Sequence, residues 1–275
     1  MRTRTISRAQ RAALSLVLIA LVLGWQAWAQ EAYEAANPRL FGFEGAYNFR
    51  DVGGYSTRDG QRVKWHLFYR SNAPAEFNEA EYATVGPLGI KTVIDLRTEE
   101  QQLAVPTQWW APNPPLFVSA PIGDQEGLKG LRAQMAAARA QNPPDSTALD
   151  RLYTEIYRRM PFAAKAELAK VFTTLTKPGG LPLLVHCSAG KDRTGLAAAL
   201  VLSLLDVPQQ TIYEDYLLTN AVTPAGVPQG GVEKHWLEAS LSAIEAKYGD
   251  VATYLERELG VTPEMRAAIR ANLLD

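Results

Sequence analysis

One cysteine in 275 residues has no partner for an intramolecular disulfide. The three histidines, His66, His186 and His235, share no ligand spacing with it or with one another. A disulfide scaffold and a Cys/His zinc module are therefore excluded as fold-defining devices. Excess charge is also missing: 28 Lys and Arg against 29 Asp and Glu give a net charge of −1, which offers no global argument for a nucleic-acid partner. No internal repeat or low-complexity tract is visible, and 47% hydrophobic with 21% charged residues is ordinary globular usage. The length suits one large domain or two small ones, with ample sequence to bury a core.

Acidic residues are absent before Glu31, whereas Arg2, Arg4, Arg8 and Arg11 precede an apolar run from Ala12 to Gly24 and then Ala27-Trp28-Ala29. A basic head, a 13-residue apolar stretch and an A-x-A ending predict a secretory signal peptide over residues 1–29. The 18 uncharged residues 12–29 make an uncleaved anchor the alternative. Cleavage removes four basic and no acidic residues, so the mature chain carries 24 against 29, a net charge of −5. The expectation is a periplasmic or secreted protein with no stable membrane insertion after cleavage. Residues 30–44 read as a linker and residues 45–275 as the folded domain.

Along that domain, Asp59-Gly60 reads as a hairpin turn between YST and QRVKWHLFYR. A helix is expected near 75–87, then KTVIDLR (91–97) as a buried strand and LFVSAP as another. Three helices are expected near 125–141, 146–160 and 162–176, with Pro143-Pro144 and Pro161 at the breaks. LPLLVHC (181–187) is a strand, and the helix from about Arg193 to Leu205 is apolar on nearly every face, hence central and buried. The remaining residues are mostly helical around an irregular stretch at 223–231. Strands alternating with helices predict an α/β layered domain.

The chemistry concentrates in His186-Cys187-Ser188-Ala189-Gly190-Lys191-Asp192-Arg193-Thr194-Gly195. The lone cysteine falls where a strand ends and a helix begins, a place whose free N–H groups and helix dipole favour a thiolate, the nucleophilic form. Five residues separate Cys187 from Arg193, enough for a tight loop whose amides point inward as an anion nest. Arg193 can fork two N–H bonds onto phosphate oxygens, Gly190 permits the backbone such a loop needs, and Thr194 can donate its hydroxyl to the sulfur. A Walker A loop is ruled out, because the position five before Gly190 is Val185 and Asp192 follows the lysine. His186 is expected to order the loop through backbone hydrogen bonds, and His66 and His235 to be surface or packing residues.

HCSAGKDRTG resembles the signature loop of the cysteine-dependent tyrosine phosphatase superfamily, HCx5R(S/T). More closely, the chain resembles bacterial tyrosine-protein phosphatases of the secreted mycobacterial type, through NFRDVGGY (48–55), LFYRS (67–71), LGIKTVIDLRT (88–98), DYLLTN (215–220) and YGDVATYLERELG (248–260). The resemblance implies a mostly parallel central sheet flanked by helices and a phosphocysteine mechanism needing no metal or other cofactor. Cys187 would attack phosphorus, while Arg193 and the loop from His186 through Ser188, Ala189, Gly190 and Lys191 would hold the phosphate. Asp124, in APIGD, matches the family's Pro-x-x-Asp position and is the candidate acid for the leaving oxygen. Asp192 is the runner-up, better suited to orienting the loop or a water.

Lys191 adds a second cation to the loop, and phosphoinositide phosphatases of the superfamily carry lysine there. A phosphoinositide or inositol phosphate thus competes with a phosphorylated protein as substrate, unless Lys191 only offsets Asp192. Asn48, Arg50, Asp51, Asp95 and Arg97 match family motifs and are expected to form structural salt bridges. Tyr153–Arg159 reads as an amphipathic helix, with a lid over the site as the other reading. A phosphate-binding pseudophosphatase and a rhodanese-type sulfurtransferase are the alternatives to a phosphatase.

Overall fold

The computed structural model describes residues 38–43, 45–74, 77–109, 113–223 and 230–275. The expected signal peptide and most of the expected linker lie outside these residues. Five short strands form one sheet: β1 (Arg50–Asp51), β2 (Phe68–Ser71), β3 (Thr92–Asp95), β4 (Leu116–Ser119) and β5 (Leu183–His186), in the order β1-β2-β5-β3-β4. Only the β1–β2 pair is antiparallel. β2, β3 and β5 are buried at every position, as strands of a parallel sheet covered on both faces should be. Alternation then sorts their side chains. Phe68, Ile94, Leu183 and Val185 enter the large core, whereas Tyr69, Val93 and Leu184 enter a smaller one with Phe43, Phe49 and Phe77.

The helices are α1 (Glu79–Val85), α2 (Glu99–Ala104), α3 (Lys129–Arg139), α4 (Ser146–Ala163), α5 (Lys165–Thr176), α6 (Asp192–Leu204), α7 (Gln209–Val222), α8 (Lys234–Tyr248), α9 (Val251–Leu259) and α10 (Pro263–Leu273). α6 is buried without a break from Thr194 to Leu202 and runs through the middle of the large core.

Four local differences from the sequence reading have physical reasons. The expected linker is not free at its end: Arg39 accepts from the Asp51 N–H at 2.9 Å, Leu40 bridges to Arg50, and Phe41 and Phe43 stack in the aromatic core. The Asp59-Gly60 turn forms, but only isolated bridges flank it. His66 adopts φ of 66° and gives its N–H to Asp51 Oδ2 at 2.7 Å, so the strand starts only at Phe68. α2 was not foreseen, although Thr98 and Gln101 form a capping box at its start. Helix α4 runs past Pro161, the expected break. Proline there leaves the Tyr157 carbonyl without its intrahelical donor, and the Ser240 hydroxyl of α8 takes it at 2.6 Å.

Candidate active site

β5 delivers Cys187 to the floor of a cavity of about 170 Å³, and the same strand end starts the loop to α6. Three successive loop carbonyls are held from outside: Ser188 O by the Ala73 N–H at 3.3 Å, Ala189 O by Asn48 Nδ2 at 3.0 Å, and Gly190 O by Arg70 Nη2 at 2.8 Å. Because a peptide is planar and trans, its N–H points opposite its carbonyl, so the amides of residues 189–191 are turned the other way. Gly190 has φ of +67°, and a Cβ there would lie 2.4–2.5 Å from the Ser71 and Asn72 backbone. Only glycine lets the loop lie against β2.

Burial pushes the Cys187 thiol up, but Arg193 and the Thr194 hydroxyl and amide outweigh it, and the net shift is downward. The nearby Asp192 carboxylate works against them. The Thr194 hydroxyl is buried with no oxygen or nitrogen partner, and its action is on the Cys187 sulfur. Arg193 is already held in place. Its Nη1 donates to Leu96 O (3.2 Å), Gln101 Oε1 (3.0 Å) and Ile122 O (3.2 Å), and its Nη2 to Ser188 Oγ (3.1 Å). It lines the cavity with Cys187, Ser188, Ala189 and Asp192.

Behind the loop lies a buried ionic framework. Asp215 of α7 accepts Arg50 Nε at 3.2 Å, Arg70 Nη1 at 2.6 Å and the Tyr55 hydroxyl at 3.1 Å. Against its burial, the two guanidiniums hold its carboxyl far below the usual carboxylate range. Asp95 is gripped by Arg97 Nε and Nη2, with His186 Nε2 3.7 Å away. Burial lowers His186 to about 4, leaving it neutral, with Nδ1 3.4 Å from Cys187 O. Asn48, Arg50, Asp51, Asp95 and Arg97 thus act as framework, as expected from the sequence, and Arg70 of LFYRS and Asp215 of DYLLTN join them.

Two predicted site residues stand elsewhere than expected. Lys191 is buried and is not among the residues lining the cavity. Its Nζ is 3.0 Å from Gly231 O and 3.3 Å from the Tyr153 hydroxyl, over the Tyr153 and Trp236 rings. Asp124 is paired with Arg132 at 3.2 Å on the rim, outside the lining, whereas Asp192 lines it and accepts the Tyr157 hydroxyl at 2.9 Å. The Tyr153–Arg159 segment is an amphipathic helix. Tyr153, Ile156 and Met160 face the cavity, while Arg158 and Arg159 pair with Glu155 outside.

The wall facing the loop comes from α3. Arg132 and Arg139 both line the cavity, with Met135 between them. Burial and the neighbouring Arg193 lower the Arg132 value. Their seven-residue spacing puts them on one helical face, a signal present in the sequence. Tyr47, next to Asn48, is raised to about 12 by burial, with Cys187 and Asp192 adding to the effect.

Known proteins share sequence with this chain. A tyrosine-protein phosphatase, so assigned by name, of Cupriavidus necator is 32% identical over 243 residues, 80% of this chain and 84% of its own. The triple specificity protein phosphatase PtpB of Mycobacterium tuberculosis is 28% identical over 278 residues, 84% of this chain and 97% of its own. Among solved structures, TpbA of P. aeruginosa is 18% identical and covers 76% of this chain and 89% of its own, at a TM-score of only 0.31. The model of the tyrosine phosphatase family matches residues 41–275, the Cys187 loop included. The chain belongs to the tyrosine phosphatase family.

Proposed function

We propose that this enzyme hydrolyses phosphotyrosine in proteins through a phosphocysteine on Cys187. The observation that carries the reading is the pairing, in one cavity, of a thiol lowered by Arg193 with Arg193 itself and inward-turned amides. The Cys187 sulfur forms a bond to phosphorus as the ester P–O bond breaks, and Arg193 and the amides of residues 189–191 hold the equatorial oxygens. The leaving phenolate takes a proton from a carboxyl group. Asp192 shares the cavity with the sulfur and Asp124 is engaged by Arg132 on the rim, so the role goes to Asp192. In the second half, water attacks phosphorus and yields its proton to Asp192; the P–S bond breaks, and phosphate and thiolate are left.

Leu128, Met135, Ile156 and Met160 supply an apolar wall for an aryl ring. Arg132 and Arg139 also favour substrates carrying a second anionic group, phosphoinositides or inositol phosphates included, and the mycobacterial relative's triple-specificity name is consistent with that breadth. The N-terminal sequence supports action in the periplasm or outside the cell.

The test is turnover of p-nitrophenyl phosphate, a phosphotyrosine peptide, phosphoinositides and phytate with a chelator present, alongside Cys187→Ser. The substitution abolishes turnover and keeps vanadate binding, since Arg193 and the amides remain. More than a few per cent residual activity in Cys187→Ser rules the phosphocysteine out.

A further inference from the structure

Two buried phenols stand behind Asp192, one from α4 and one from α7. The Tyr157 hydroxyl donates to Asp192 Oδ1 at 2.9 Å and lies 2.6 Å from the Tyr216 hydroxyl; both side chains are essentially inaccessible. Each phenol has one proton. Since Tyr157 spends its own on Asp192, Tyr216 must donate to Tyr157, and the bonds run in one direction: Tyr216 to Tyr157 to Asp192. Burial raises both phenols well above their ordinary value, with the Asp192 charge adding to it, so neither competes for the loss of a proton.

Both phenols are fixed from other sides. The Tyr157 carbonyl accepts the Ser240 hydroxyl. The Tyr216 ring lies on the first turn of α6, where a Cβ on Gly195 would come within 2.9 Å of it. Asp192 is the first residue of that same turn.

We propose that Tyr157, backed by Tyr216, is a positioning residue that decides which oxygen of Asp192 handles the catalytic proton. Oδ1 is committed to accepting from Tyr157, so the transferable proton resides on Oδ2. In the first half-reaction the Oδ2–H bond breaks as the leaving oxygen is protonated, and in the second Oδ2 receives the proton of the attacking water. Without the phenol, Asp192 can rotate and protonate either oxygen, and part of the population is wrongly oriented. This inference rests on Asp192 being the proton donor.

The experiment compares aryl phosphates of graded leaving-group pKa in Asp192→Asn, Tyr157→Phe, Tyr216→Phe and Asp192→Asn/Tyr157→Phe. Asp192→Asn should cost about a hundredfold in kcat for the poorest leaving groups and little for p-nitrophenol. Tyr157→Phe should show the same dependence at about tenfold, with KM unchanged, and add nothing in the Asp192→Asn background. Tyr216→Phe, which keeps the bond to Asp192, should give a smaller loss of the same kind. A uniform loss across all leaving groups in Tyr157→Phe, or no loss, overturns the inference while leaving Asp192 as donor. Absence of leaving-group dependence in Asp192→Asn itself sinks the donor assignment, and the phenol's role with it.

Discussion

On the sheet side of the Cys187 loop, Arg50, Arg70 and Asp215 are at most 2% exposed, and their charges are met by one another or by backbone. On the helix side, Arg132 is about one-third exposed and Arg139 is open to solvent, and the two share their wall with apolar side chains. Buried ions are held by geometry, and removing one partner strands the other in a medium that cannot solvate it. Half-exposed ions remain available to a ligand and contribute little to the fold. One side therefore shapes the loop, and the other selects what enters it.

The sharpest way to break that contrast is Asp215→Asn, which leaves Arg50 and Arg70 without their carboxylate. Stability should fall by about 3–5 kcal/mol, with turnover lost in parallel. A variant that melts like the wild type but turns over slowly would show that the framework acts on chemistry alone. Next comes pH. His186 titrates near 4 when folded against 6.5 as its ordinary value. Between those values the unfolded chain binds the extra proton, so stability declines as pH falls through this window. Its share reaches up to about 3 kcal/mol at pH 4. Denaturant melts of wild type and His186→Asn across pH 4–7 check the sign, since the substitution should flatten the slope. The smallest effect belongs to the helix side. Arg132→Ala/Arg139→Ala should raise KM for a multiply phosphorylated substrate about tenfold, worth about 1.4 kcal/mol, and shift stability by no more than about 0.5 kcal/mol. An equal KM rise for p-nitrophenyl phosphate would mean that the arginines attract any anion without selecting among substrates.

What was legible in the sequence follows the same division. Cys187, Arg193, the strand before them and the buried helix after them are written locally, in a loop whose spacing and glycine admit few conformations. Apolar continuity marked β3 and β5 for the same reason. The fate of Lys191 was not local. Its side chain is drawn off by Tyr153, Trp236 and the Gly231 carbonyl, each about 40 residues away. Asp124 had the right motif but also an arginine 8 residues on, Arg132, and only the packing of α3 over Gly123 brings them together. Pro161 reads as a helix breaker until Ser240, far along the chain, supplies the missing donor. The Tyr216–Tyr157–Asp192 chain is not legible either, because nothing in one helix reports which hydroxyl a neighbouring helix will offer.

Lys191 retains an influence without touching a ligand. Its ammonium is sealed beneath Tyr153 and Trp236, and only 1% of the residue is exposed. Its field reaches the loop through protein, where mobile ions do not penetrate, whereas the fields of Arg132 and Arg139 cross water and decay over about 8 Å at physiological ionic strength. The pull felt by an approaching phosphate thus has two ranges: an outer one that salt erases and a short inner one that salt leaves intact.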